Sequence, residues 1–267
     1  MMKKWWMGIL IIILVGIGVY LLRQRTTIKV ARTTISENVG VGFIPTHQIS
    51  KIAIMADIHN DVESLHKAYE QAVIDGVELI ILAGDLTIDG TTNEQKKIKS
   101  EIDSWTIQTF AVPGNHDIYK QVWIFGDKYQ TVKLGNWKLM LIDNSDWRGL
   151  GETQKAWLGS EVRECHINFC LAVMHMPLAN TFSKHVMGEY SQQTMEEAEW
   201  LKKVLRDNKV QAGYSGHLHY SSDYEIDGWE TVLVGAISLT RNVEVPKYTQ
   251  VKLYSDGTRD KVVKIVP

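Results

Sequence analysis

The stretch Ile107-Gln108-Thr109-Phe110-Ala111-Val112-Pro113-Gly114-Asn115-His116-Asp117 decides how this chain is read. Ile107 to Val112 has the length and apolar character of a buried strand, and proline and glycine then stop it abruptly. The loop that follows presents an amide, an imidazole and a carboxylate in succession. Loops held at the carboxyl end of a rigid strand are where α/β proteins keep their chemistry. Taken alone, the run reads equally well as a polar turn. Its meaning depends on whether other strands end in the same way.

They do. Lys51 to Ala56 is a short apolar strand that stops at Asp57-Ile58-His59-Asn60-Asp61. Val62 to Asp75 then places Val62, Leu65, Tyr69 and Val73 at helical spacing. Glu78 to Ala83, almost entirely aliphatic, has the composition of a strand covered on both faces, and it ends in Gly84-Asp85. Thr92 to Trp105 is charged and helical, and the third strand leads into the opening loop. Three rounds of strand, loop and helix predict a largely parallel sheet with its site at the strands' carboxyl ends.

The second half reads as more antiparallel. Tyr129 to Leu134 and Trp137 to Ile142 flank the hairpin pair Gly135-Asn136. An amphipathic helix opens at Gly151, and the strand Asn168 to Met174 delivers His175. A polar loop runs to Tyr190. A charged helix runs from Gln192 to Arg206, and its part from Glu196 to Arg206 is expected to be a solvated face with internal ion pairs. Val210 to Tyr214 ends at Gly216-His217-Leu218-His219, and Asp227-Gly228 and Asp256-Gly257 mark two further hairpins. Trp123, Trp137 and Trp157 are expected in the core or a pocket wall. His47, His66, His166 and His185 belong to no motif and are expected at the surface, except that the loop carrying His185 could rim the pocket.

With 267 residues, 45% hydrophobic and 22% charged, the chain can bury one substantial core. A formal net charge of -2 gives no basic footprint, so nucleic acid is not a favoured partner. Cys165 and Cys170, the only cysteines, do not make a disulfide framework or a zinc-thiolate site, and Cys170 reads as a small buried residue. Trp5 to Leu22 is 18 residues without a charge, flanked by Lys3, Lys4, Arg23 and Arg25. That is long enough to span a bilayer, and Trp5, Trp6 and Tyr20 sit where an interfacial belt would place them. The sequence therefore predicts a single-pass membrane anchor over residues 1–32, with a helix at about 5–22, and a catalytic domain over 33–267. Charge bias favours a cytoplasmic domain, whereas the layout of a basic start and an apolar run is that of an export signal. The balance leans slightly to the outside.

Five strand ends thus carry metal-capable side chains: Asp57 and His59; Asp85; Asn115 and His116; His175; His217 and His219. Carboxylate, imidazole and amide oxygen without thiolate suit Mn²⁺, Fe or Zn²⁺. This many candidate ligands exceed one tetrahedral ion, so two ions bridged by a carboxylate are expected.

In this order, Asp57-x-His59, Gly84-Asp85, Gly114-Asn115-His116-Asp117, His175 and Gly216-His217-x-His219 resemble the motifs of the calcineurin-like metallophosphoesterases. The resemblance runs from about Lys51 to the chain end. It implies a four-layer α/β (α+β) sandwich, two mixed β-sheets flanked by helices. It assigns Asp57, His59 and His219 to one ion, and Asn115, His175 and His217 to the other. Asp85 would bridge them, and His116 would stabilise or protonate the leaving oxygen. The implied chemistry is phosphate-ester hydrolysis by in-line attack of a hydroxide held between the cations. Asp117 or Asp61 is a candidate partner to orient His116. Ile88 stands where purple acid phosphatases have a tyrosine. Asp89-Gly90 lacks the arginine of Ser/Thr protein phosphatases, and Asp117 replaces their glutamate. What remains resembles small bacterial phosphodiesterases and membrane-associated phosphoesterases, acting on a diester or pyrophosphate of a small or lipid-linked substrate. A non-catalytic metal- or phosphate-binding module, or a nuclease, stays open as an alternative.

Overall fold

The computed structural model describes residues 46–118 and 123–267, and Pro45–Pro267 forms one compact unit. The predicted anchor lies outside the described residues. Among the described residues, no helix is long and apolar enough to cross a membrane.

Two mixed sheets face each other. The first has the order β11-β10-β1-β2-β3, built from β1 (Gln48–Met55), β2 (Leu79–Ala83), β3 (Gln108–Val112), β10 (Lys247–Tyr254) and β11 (Arg259–Ile265). Strands β1, β2 and β3 run parallel, as the strand-loop-helix repeats require, and β10 and β11 add antiparallel at one side. The second sheet has the order β4-β5-β6-β7-β9-β8. Its strands are β4 (Gln130–Leu134), β5 (Trp137–Ile142), β6 (Phe169–Met174), β7 (Val210–Ser215), β8 (Ser221–Ile226) and β9 (Trp229–Val234).

The predicted antiparallel character of this half holds only at its edges. β5, β6, β7 and β9 are mutually parallel, while β4 and β8 pair antiparallel through the expected hairpins. Hairpin pairs such as Gly135-Asn136 are visible locally, whereas the pairing of β5 with β6 is made across a helix and has no local signature.

Side-chain alternation sorts the strands' residues into three apolar layers. Ile52, Ile54 and Ile81 of the first sheet meet Leu139, Leu171 and Tyr214 of the second between the sheets. On the outer face of the first sheet, Met55, Ile80 and Leu82 pack on Leu65 and Tyr69 of α1 (Val62–Ile74) and Ile98 of α2 (Thr92–Asp103). On the outer face of the second, Met140, Ala172 and Met174 pack on Leu158 of α3 (Glu152–Glu161) and on Leu201 and Leu205 of α4 (Gln192–Asp207). β2 lies inside its sheet with apolar layers on both faces, so it is buried along its whole length, whereas the edge strands β8 and β11 keep exposed positions. Helix–sheet–sheet–helix is the resulting four-layer order.

Two expectations change here. α4 is not simply a solvated face: Glu197 is buried, and its carboxylate accepts from the Leu150 amide at 2.6 Å and from Lys155 Nζ at 2.6 Å. Cys165 and Cys170 are joined by a disulfide, which ties the 3-10 turn Val162–His166 to the start of β6. The three tryptophans behave as expected, with Trp123 and Trp137 buried and Trp157 packed against the outer layer of the second sheet.

Candidate metal centre

The parallel strands of both sheets deliver their carboxyl-end loops to one place. Asp57 and His59 follow β1, Asp85 follows β2, Asn115 and His116 follow β3, His175 follows β6, and His217 and His219 follow β7. Cross-loop hydrogen bonds hold these ends in register. The amides of Asp57 and His59 donate to the carbonyls of Gly84 and Asp85, each at 3.0 Å, and the Gly216 amide donates to the His175 carbonyl at 3.0 Å. The His217 amide donates to both oxygens of Asp57, at 3.0 and 2.9 Å.

The backbone there is unusual. Asp57, His59, Asp85, His217 and His219 all have φ between 47° and 73°, within a set of only eight such non-glycine residues among those described. Left-handed backbone at a side-chain-bearing residue costs of order 1–3 kcal/mol and persists where surrounding contacts over-determine it. Five of the eight falling on candidate ligands shows the tertiary packing holding these side chains inward. The loops also pass close to one another. A Cβ on Gly114 would lie 2.1 Å from Asp85 Oδ1, and one on Gly84 would lie 2.6 Å from His175 Nδ1. Glycine precedes these polar residues because no side chain fits there.

Two clusters emerge, and one residue belongs to both. Ligand atoms of Asp57, His59, Asp85 and His219 all lie within 4.8 Å of one another, and so do those of Asp85, His175 and His217. His59 Nε2 faces His219 Nε2 at 3.1 Å, and His175 Nε2 faces His217 Nδ1 at 3.1 Å. Asn115 Oδ1 joins the second cluster, 3.1 Å from His175 Nε2. All seven predicted ligands are therefore brought together.

The electrostatics suit cations. Burial drives His59 down to about 3, with Asp85 opposing, and His219 down to about 4 for the same reason. Burial also holds His217 well below the ordinary imidazole range. These three rings are neutral at pH 7 and carry free lone pairs. His175 behaves oppositely. Burial works against its charge, but Asp85 and then Asp57 hold it up at about 9. Asp85 stays well below the usual carboxylate range because His175 outweighs burial, whereas burial, aided by Asp85, pushes Asp57 up to about 8.

The residues fit a pair of divalent or trivalent metal ions. Buried imidazole nitrogens are paired face to face, His217 Nε2 is buried without a hydrogen-bond partner, and a shared carboxylate stands between the clusters. Outer contacts complete the set: His175 Nδ1 is 2.9 Å from the Ala83 carbonyl, so Nδ1–H donates there and Nε2 faces the site.

A sign follows for metal uptake. At pH 7 and without ions, Asp57 and His175 both hold a proton, because both sit above their ordinary values. A cation must displace these protons, so apparent affinity rises with pH until about 9 and falls below 7. Calorimetric titration of Mn²⁺ at pH 7 in two buffers of different ionisation enthalpy is expected to show net proton release.

His116 lies outside both clusters, with its ring 5.1 Å from that of His59 in an edge-on arrangement. Its predicted orienting partner is corrected. Neither Asp117 nor Asp61 touches the imidazole; His116 Nδ1 lies 2.6 Å from the carbonyl oxygen of Ile88. Asp61 instead caps α1 by accepting from the Ser64 amide at 3.0 Å, and it also accepts from the Leu239 amide at 2.8 Å. Asp117 is a buried clamp between two site loops. It accepts from the amides of Leu86 (3.1 Å), Thr87 (2.9 Å) and Gly114 (2.8 Å), and from Thr87 Oγ1 (2.8 Å). A backbone carbonyl carries no sequence signature, which is why two nearby carboxylates stood in for it. Asp117→Ala strands these donors in the interior and is expected to cost about 3 kcal/mol, lowering Tm by roughly 5–10 °C in a calorimetric scan.

Several residues at the site were not singled out by the sequence. Asn144 accepts from the His175 and Met176 amides at 3.1 and 3.0 Å and fixes that loop. Arg241 brings NH1 to 3.3 Å from His59 Nδ1. His185, expected at the surface on a loop that could rim the pocket, is exposed and stacks on His217 with ring centroids 4.1 Å apart. A cleft of about 840 Å³ opens beside His116, with Ile88, Asn115, Ser145, Trp147 and Tyr190 in its walls.

Comparison with known proteins agrees with this geometry. The family model for calcineurin-like phosphoesterases matches residues 50–221, and the chain belongs to that family. Its two ligand clusters make it a dinuclear metal-dependent phosphoesterase. A 3',5'-cyclic-nucleotide phosphodiesterase from Nostoc sp. is 25% identical, covering 72% of this chain and 77% of the relative. A probable cyclic nucleotide phosphodiesterase from Vesicomyosocius okutanii is 22% identical, covering 68% and 79%. A dimetal phosphatase from Danio rerio shares the fold with a TM-score of 0.61 at 14% identity, over 83% of this chain and 100% of that one.

Proposed function

We propose that this protein hydrolyses phosphodiesters of small substrates, cyclic nucleotides among them. The carrying observation is the single carboxylate, Asp85, common to two clusters of buried ligands. The relatives named as cyclic-nucleotide phosphodiesterases support the diester over a monoester or a pyrophosphate.

On this reading Asp57, His59 and His219 hold one ion, and Asn115, His175 and His217 hold the other, with Asp85 between them. Two bound cations supply a water of lowered pKa and neutralise charge that develops on the phosphoryl oxygens. The chain does the rest. With both ions bound, the four imidazoles of His59, His175, His217 and His219 would be neutral and only Asp57 and Asp85 would offset the cations, so the centre would be net positive and draw in an anionic ester. His116, held through Nδ1 at the Ile88 carbonyl, presents Nε2 to the leaving oxygen and delivers its proton.

For placement, we read residues 1–32 as a single-pass anchor with the catalytic domain outside the cytoplasm. The Cys165–Cys170 disulfide supports that side, because such bonds persist in oxidising compartments. Protease added to intact cells should degrade the domain; full protection would put it inside.

The function is tested with the full chain and bis(p-nitrophenyl) phosphate. Turnover is expected with Mn²⁺, loss after chelation, and recovery on adding the ion back. Absence of metal-dependent turnover of this diester and of cyclic AMP would sink the reading and favour a binding module. Should DNA or RNA be cut faster than either, with binding that collapses as salt rises, the nuclease alternative takes its place.

A further inference from the structure

The cleft beside His116 joins loops of the two sheets, and its walls are chemically lopsided. Ile88 and Ile118 come from the first sheet's loops, and Trp147 and Tyr190 from the second's. Trp147 is 64% exposed and Tyr190 65% exposed, so two large ring systems stand in water inside a concavity. A narrower pocket shares both rings and runs on to Asn115 and His217. The aromatic wall is thus continuous with the candidate metal centre. A molecule with its phosphorus at the ions would therefore carry its organic part along this wall, past His116.

Charge narrows the class. Among the described residues lining the cleft, the sole cation is Arg148, and it is spent on Asp146, with NH2 2.6 Å from Oδ2 and Nε 2.9 Å from Oδ1. Asp89 lines the same cleft, so its walls are net negative among the described residues. Such a surface repels a second phosphate and leaves ring faces as the available contact. An uncharged planar ring stacked on indole gains dispersion and buries apolar area without needing a cation.

We infer that Trp147 and Tyr190 form a subsite for an uncharged aromatic ring attached to the phosphodiester, such as a nucleobase or an aryl group. The inference rests on the phosphodiesterase reading and names the part of the substrate that sets its specificity. Trp147 is the specificity-determining residue. Its exposure means that truncation empties no core, so the variant folds.

The experiment measures binding of adenosine 5'-monophosphate and of inorganic phosphate to the Mn²⁺-loaded full chain, by calorimetry, alongside KM and kcat for bis(p-nitrophenyl) phosphate. Wild type should bind the nucleotide more tightly than phosphate. Trp147→Ala should weaken nucleotide binding roughly 5- to 150-fold, the range for one lost stacking contact. Phosphate binding should change less than twofold, and KM should rise more than kcat falls. Trp147→Phe should restore most of the loss. Nucleotide binding that is no tighter than phosphate, or that is unchanged in Trp147→Ala, overturns the subsite. Because binding is read without turnover, a protein that binds nucleotide through Trp147 but cleaves no diester would refute the enzymatic reading and keep the subsite.

Discussion

Asp85→Ala is expected to remove both the ions and the activity. Its carboxylate is the one group shared by the two ligand clusters, so its loss unmakes both sites together rather than weakening one. Asp85 Oδ1 also accepts from the His116 amide at 2.9 Å, and Oδ2 lies 3.3 Å from His175 Nε2. The substitution therefore loosens the loop that carries Asn115 and His116. It also strands His175, whose charge Asp85 supports. A fall in kcat/KM of at least about 10³-fold, on the order of 4 kcal/mol of transition-state stabilisation, is expected. Elemental analysis of the purified variant should find well under one ion per chain. Retention of two ions with near-normal turnover would show that Asp85 does not bridge.

His116→Ala should separate chemistry from metal binding. The ring belongs to neither cluster, and among the described residues its hydrogen bond is to the Ile88 carbonyl, so removing it leaves the ligands in place. Metal content is expected to match wild type while kcat falls roughly 10²- to 10⁴-fold, the usual contribution of a positioned proton donor. If the loss is largest for diesters with poor leaving groups and shrinks for p-nitrophenolate, His116 protonates the leaving oxygen. An equal loss for all leaving groups assigns it instead to electrostatic stabilisation. Unchanged turnover would remove His116 from the mechanism.

These two variants bracket the site because the fold places their side chains differently. Asp85 sits in the floor with left-handed backbone, tied by neighbouring loops. His116 stands at the cleft edge, half-buried, where substrate can reach it.

What the sequence determined by itself was the set of strand ends. Apolar runs of strand length, each cut off by Gly or Pro and followed by Asp, Asn or His, are local signals, and they survive unaligned reading. Glycine at 84 and 114 could be read as a stop; that it also clears space for His175 and Asp85 could not. The two-ion chemistry was legible for the same reason: ligand type and number are written in the residues, and motif order linked them to a family.

Only the tertiary structure decided how the pieces meet. The parallel pairing of β5 with β6, the buried Glu197, the disulfide and the stack of His185 on His217 all join residues with no common local pattern. The partner of His116 is a main-chain oxygen, which every residue possesses, so no side-chain pattern could name it. Trp147 and Tyr190 are 43 positions apart in the chain and face one cleft only because parallel strands send both loops to the same sheet edge. Sequence periodicity records which side of an element is apolar. Which elements then become neighbours is set by the packing of three apolar layers at once, and the cleft that selects a substrate is a product of that packing.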